Sequence, residues 1–184
     1  ERNRSGSSYE SSVEDRRKSL NDSKTVYKRR KELMQQLITN GSYARPPRGT
    51  RKERRQLQLW QELIAYEKTN PQNLNSQELH DRIAYTFNMA LEPMYHFTSI
   101  WYMSAMYEVE TEDLDAAFKV FARGIAALPN NMMLSLEYTE LLGTKGRENE
   151  GMKVFEQLCN DSPSPLAWIQ YMYFARRHTT VCFM

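Results

Sequence analysis

The sequence predicts an all-α protein, an α-solenoid of antiparallel helix pairs with a disordered N-terminal segment. Three observations carry that expectation. Glycine is scarce, 7 of 184 residues, while 40% of the chain is hydrophobic and 26% charged, as in helix-rich globular proteins. Apolar residues recur at i, i+3, i+4, i+7 and i+8, the stripe of a helix with one buried face. Phe87, Phe121 and Phe155 stand 34 residues apart, a period that marks repeated helical hairpins.

In chain order, residues 1–23 are Ser-rich and charged, with only Val13 and Leu20 as aliphatic side chains. They bury too little to offset chain entropy and are expected to be disordered. An amphipathic helix is expected over 24–40, with Val26, Leu33, Met34 and Leu37 on one face and the Arg30 stem crossing it. Residues 41–50, rich in Pro and Gly, read as a linker. Residues 51–177 read as the repeat domain, about three and a half repeats, and 178–184 as a tail.

Each phenylalanine anchors a repeated helix, B. Ile83, Ala117 and Gly151 share one column, and Thr86, Val120 and Val154 the next. Ala90, Gly124 and Leu158 follow, then Leu91, Ile125 and Cys159. Small residues in two columns let neighbouring helices approach closely. A second helix, A, precedes each B. It is headed by Trp60, Trp101, Ser135 and Trp168, with Leu63, Ser104, Tyr138 and Tyr171 three residues on. Six residues after the heads stand Tyr66, Tyr107, Leu141 and Phe174. The interval from A head to B phenylalanine is 27, 20 and 20 residues, the first lengthened by an inserted loop over 69–75. Such pairs bury their apolar faces only by stacking.

The expected boundaries agree. Ser76 is expected to cap the first B helix, and Thr111 with Asp113 the second. Pro129 stops the second B helix, and Gly143 to Gly146 separates the third pair. Ser164 and Pro165 open the last A helix as N-cap and first helical residue.

The net charge of +2 hides an asymmetry: residues 1–58 hold 16 Lys/Arg against 7 Asp/Glu, and residues 59–184 hold 9 against 16. Two basic clusters stand out, Lys28-Arg29-Arg30-Lys31 and Arg51-Lys52 with Arg54-Arg55. They suit contact with a phosphate backbone or nuclear import; taken singly, each also reads as a solvated helix face. No apolar run reaches the roughly 18–20 residues of a membrane span, so no membrane role is expected. No secretory signal is visible at the first residues, and without an initiator Met the chain reads as a fragment. Cys159 and Cys182 alone frame no disulfide scaffold, so a reducing compartment is expected.

No catalytic, cofactor-binding or metal site is expected. His80, His96 and His178 are scattered, and nucleotide-binding, metalloprotease and hydrolase motifs are missing. Glu67 and Glu108 follow a Tyr at equivalent places in successive repeats, which favours structural hydrogen bonding over acid–base work. The structural core expected of the repeats is Trp60, Tyr66, Glu67, Phe87, Trp101, Tyr107, Glu108, Phe121, Phe155, Trp168 and Phe174.

Trp60 to Glu67 and Trp101 to Glu108 both read Trp-x-x-x-x-x-Tyr-Glu. With a following helix such as Ala117 to Ile125, they resemble the HAT (half-a-TPR) repeat, with Ser135, Leu142 and Ala175 departing from it. Val26-Tyr27-Lys28 to Leu33-Met34-Gln35, then Pro46-Pro47, then Trp60 to Pro71 resemble the suppressor-of-forked family, the large scaffold subunit of cleavage stimulation factor. Ile169 to Arg177 resembles the same family about three repeats on. The resemblance covers 24–177. It implies a non-catalytic, cofactor-free nuclear scaffold of pre-mRNA 3′-end cleavage and polyadenylation. Other subunits of that complex would be its partners, the full-length protein would dimerise through its repeats, and pre-mRNA contact would be indirect. Two alternatives stand beside it: a HAT scaffold of splicing or ribosomal RNA processing, and direct RNA binding through the basic region 24–58.

Overall fold

A computed structural model describes residues 2–39 and 45–178, with side chains from residue 12 onward. The described residues are all-helical, with no strand. They form α1 (Arg2–Met34), α2 (Arg51–Lys68), α3 (Ser76–Leu91), α4 (Thr98–Glu110), α5 (Leu114–Ala127), α6 (Met132–Thr144), α7 (Glu148–Asp161) and α8 (Pro165–His178). The chain divides into two compact units, the first holding α1–α3 and the second α4–α8. The A/B alternation is as expected: α2, α4, α6 and α8 carry the A heads, and α3, α5 and α7 carry the phenylalanines. No helix among the described residues is long and apolar enough to cross a membrane.

In the first unit α1 runs antiparallel to α2. Arg30 lies level with Glu67, whereas Gln36 and Ile38, further along the chain, meet Gln56, earlier in α2. Val26, Leu33 and Leu37 are buried, but Met34 is not. The helix expected over 24–40 differs at its ends: α1 runs from Arg2 to Met34, with a turn over 35–37. From Glu14 to Thr25 no side chain of α1 is buried. After Met34, Gln56 takes over the backbone: its amide accepts from Ile38 N–H (2.9 Å) and donates to the Gln36 carbonyl (2.9 Å). Of the expected linker, 45–50 is non-helical, and 41–44 lies outside the described residues, as does Asn40 before it.

The loop expected over 69–75 is present and closes on one side chain. Asn70 donates to the Leu74 carbonyl and accepts its N–H, at 2.9 and 2.8 Å. Asn70 and Asn73 have φ of 52° and 50°, a region asparagine tolerates. The cap of α3 is Asn75, not Ser76, in a capping box with Glu78. Ser76 falls one residue too late to receive the Glu78 N–H.

In the second unit α4 packs on α5, α6 on both α5 and α7, and α8 on α6 and α7. Asp113 alone caps α5, while Thr111 closes α4. Gly143 is buried inside α6, so the break begins later than expected, at Lys145. Pro165 is the first residue of α8, and the Trp168 N–H donates to the Ser164 carbonyl. His178, the first residue of the expected tail, is the last residue of α8; residues 179–184, including Cys182, lie outside the described residues.

The repeats interlock through a recurring aromatic stack. Phe121 of α5 stacks on Tyr138 of α6 with ring centroids 5.6 Å apart, and Phe155 of α7 on Tyr171 of α8 at 5.5 Å. Each is a B phenylalanine on the tyrosine three residues past the next A head, a contact of about 0.5–1.5 kcal/mol beyond area burial. The small residues work as expected. A Cβ on Gly124 would lie 3.4 Å from Trp101, and one on Gly151 only 2.6 Å from the Phe174 ring.

Candidate functional site

Two features of the first unit stand out, a buried carboxylate that ties three helices and a set of exposed cations. Glu67 is 2% exposed at the end of α2. Arg30 of α1 grips it with both forks, Nε to Oε1 at 2.6 Å and an Nη to Oε2 at 2.8 Å. Arg82 of α3 adds a longer contact of 3.5 Å to Oε2. The same Arg30 Nη donates to Gln72 of the 69–75 loop at 3.1 Å. One bidentate pair thus joins α1, α2, α3 and the loop, geometry that suits a guanidinium and no other cation. With every oxygen engaged by structural partners, Glu67 is a cross-link.

The sequence did not single out Arg82, Gln56, Glu53 or Gln72. Their signals were weak but present. Thr50-x-x-Glu53 is a capping box, and its Glu53 carboxylate also accepts from the N–H groups of Arg48 and Thr50. Gln56 and Arg82 carry no local pattern, since their partners lie many residues away.

The predicted cations divide. Arg30 is consumed by Glu67 and leaves the basic set, because its stem crosses the buried face and its head meets a carboxylate there. Lys28, Arg29 and Lys31 of α1 are exposed, as are Arg51, Lys52, Arg54 and Arg55 of α2. Arg29 reaches Glu32 and Arg55 reaches Glu62, both at 3.6 Å, loose surface pairs that water screens. The two clusters do not merge. Lys28–Lys31 flank the level of Glu67, twelve or more residues along α2 from Arg55, which is about 18 Å at 1.5 Å rise per residue.

The predicted repeat core is mostly found inside. Trp60, Glu67, Phe87, Trp101, Tyr107, Glu108, Phe121, Phe155 and Phe174 are buried and Tyr66 is half-buried. Trp168 is the correction, at 47% exposed. It lies on the outer face of α8 with Leu166, Ile169, Met172 and Tyr173, all exposed. The three tryptophan heads therefore differ. Trp101 donates from Nε1 to the Tyr95 carbonyl at 2.8 Å beneath the Arg123 guanidinium, whereas Trp60 Nε1 is buried with no acceptor among the described residues. Leu142 replaces the glutamate column of the third repeat and is buried like Glu67 and Glu108.

Several titratable groups of the second unit are shifted by burial and local pairing. Burial pushes the Cys159 thiol above its ordinary value. Burial likewise raises Tyr138, and raises Tyr171 with help from its hydrogen bond to Glu156. The bidentate Arg147 holds the Glu150 carboxyl below the usual carboxylate range. Among the described residues no group of three or more His, Cys, Asp or Glu side chains is placed to hold a metal ion.

Comparison with known proteins decides the family. The family model for suppressor of forked protein matches residues 5–182. The chain belongs to the suppressor-of-forked family. Among curated relatives of this family, cleavage stimulation factor subunit 77 of Arabidopsis thaliana is 34% identical over 158 residues, 86% of this chain and 21% of the relative. The mRNA 3′-end-processing protein RNA14 of Candida glabrata is 30% identical over 107 residues, 58% of this chain and 16% of the relative. Its namesake from Cryptococcus neoformans is 29% identical over 96 residues, 52% and 9% of the two chains. The chain thus spans about a fifth or less of the length of these suppressor-of-forked relatives.

Proposed function

We propose that this chain is a non-catalytic scaffold segment of the nuclear machinery for pre-mRNA 3′-end cleavage and polyadenylation. Membership of the suppressor-of-forked family, with relatives named for cleavage stimulation and mRNA 3′-end processing, carries the reading. The fold supports it. Its most buried carboxylate among the described residues, Glu67, is a structural tie, and Phe121 and Phe155 are spent on stacking against Tyr138 and Tyr171. What remains for partners is surface: the outer sides of the helices and the exposed cations. Other subunits of the complex are the partners proposed, with dimerisation through the repeats in the full-length protein. Affinity purification of that protein from nuclear extract tests this reading. Recovery of cleavage and polyadenylation subunits is expected; recovery of spliceosomal or pre-ribosomal proteins instead would keep the fold and overturn the function.

The exposed cations favour a second, compatible role in direct RNA contact. Lys28, Arg29, Lys31, Arg51, Lys52, Arg54 and Arg55 point to solvent and suit a phosphate backbone. Their distribution as two separated clusters fits a strand laid along α1 and α2 better than one pocket. RNA affinity would then fall steeply with salt as counterions are displaced. A flat salt response, or no binding at moderate salt, would exclude this role.

A further inference from the structure

From Glu14 to Thr25 every side chain of α1 is exposed, and the first buried one is Val26. This arm carries the order Arg16-Arg17-Lys18-Ser19-Leu20. We propose that Ser19 is a phosphorylation site for a basophilic protein kinase. The acidic substrate groove of such an enzyme takes guanidinium groups three and two positions ahead of the acceptor as charge-assisted pairs. An apolar side chain just after the acceptor, here Leu20, completes the match.

Three observations make Ser19 an acceptor as well as a match to the pattern. Its hydroxyl makes no hydrogen bond among the described residues, whereas those of Ser23 and Thr25 are turned back onto the Ser19 and Asn21 carbonyls, each at 2.9 Å. Such back-bonding weakens a helix locally. The arm buries nothing, so the extended form a kinase groove needs opens at low cost. The other Arg-Arg-x-hydroxyl order, Arg176 to Thr179, fits less well, because Thr180 follows it and Arg177 is already paired with Glu140. In the transfer, Ser19 Oγ attacks the γ-phosphorus of ATP held by the kinase. The bond to the β–γ bridging oxygen breaks, ADP leaves, and the hydroxyl proton passes to the kinase's base.

The new charge has a local consequence. Ser19 lines a cleft with Asp15, Asp22 and the 71–74 turn. A phosphate of about −1.5 to −2 there faces Asp15 one turn before and Asp22 one turn after. Both carboxylates lie on the arm itself and the 71–74 turn is uncharged, so the repulsion acts along α1 and loosens its helix around Ser19, opposed by the nearby Arg16 and Lys18.

The test incubates the full chain with ATP and the catalytic subunit of cyclic-AMP-dependent protein kinase, and maps the product by mass spectrometry. About one phosphate per chain is expected, on Ser19, and Ser19→Ala abolishes it. The double change Arg16→Ala, Arg17→Ala slows incorporation about tenfold or more. These positions are exposed, so the thermal melts of the variants match the parent. The phosphorylated chain exchanges its amides faster over 12–23. No incorporation, phosphate chiefly on Thr179 or another hydroxyl, or an undiminished rate in the double variant would overturn the assignment. Slower exchange over 12–23 would overturn the loosening.

Discussion

Arg30 reaches across 37 residues of chain to hold both carboxylate oxygens of Glu67. Neither residue is isolated: Gln72 and Arg82 complete the set. Removing Glu67 strands two guanidinium groups, one of them largely buried. Glu67→Ala is expected to cost about 3 kcal/mol, the low end for a broken buried pair because both arginines keep some water contact. Urea denaturation followed by circular dichroism measures it, and a loss under 1 kcal/mol would show the tie to be unimportant.

The second prediction comes from comparing two helix ends. The Glu112 N–H bonds the Val109 carbonyl and the Asp113 N–H bonds that of Glu108; Gly146 and Arg147 repeat the pattern onto Gly143 and Leu142. Both are Schellman closures, 34 residues apart, with φ of 63° at Glu112 and 72° at Gly146. Glycine adopts that conformation freely and glutamate does not. Glu112→Gly should therefore stabilise the chain by about 0.5–1 kcal/mol, seen as a higher denaturation midpoint. A lower midpoint would contradict the closure geometry.

How far these features were legible differs by residue. The 34-residue column of Phe87, Phe121 and Phe155 was readable because each repeat solves the same packing problem, and Leu142 shows that the column survives loss of its glutamate. Glu67 was read as structural from its repetition, yet its partner was not, since nothing in Lys28-Arg29-Arg30-Lys31 marks which cation turns inward. Trp168 was misplaced because its position in the pattern matches Trp60, while its burial depends on what packs against the outer face of α8. The N-terminal arm was read by composition alone, which reports the lack of a core and says little about backbone geometry.

Gly151→Ala probes a close approach of α7 to α8. The added Cβ would meet Phe174 Cζ at 2.6 Å and Cε1 at 3.0 Å, and that ring is buried against Phe155. Overpacking of this kind costs about 1–3 kcal/mol. A thermal melt reports it, and an unchanged melting temperature would mean that α7 and α8 sit further apart.

Cys159 should be inert in the folded chain. Its burial favours the neutral thiol, and the thiolate is the reactive form. Iodoacetamide labelling of Cys159, followed by peptide mapping, should be about 100-fold slower or more than in urea, because it waits on local opening. Raising the pH from 7 to 9 accelerates the unfolded chain first, since its thiol ionises at the lower pH. Equal rates in the folded and unfolded chains would refute the buried placement.

The scaffold assignment itself is tested most directly in nuclear extract depleted of the full-length protein. Cleavage of a pre-mRNA bearing a polyadenylation signal should fail there and return on adding the protein back, with splicing of a second substrate unaffected throughout. Unimpaired cleavage in the depleted extract, or a splicing defect in its place, would contradict the account.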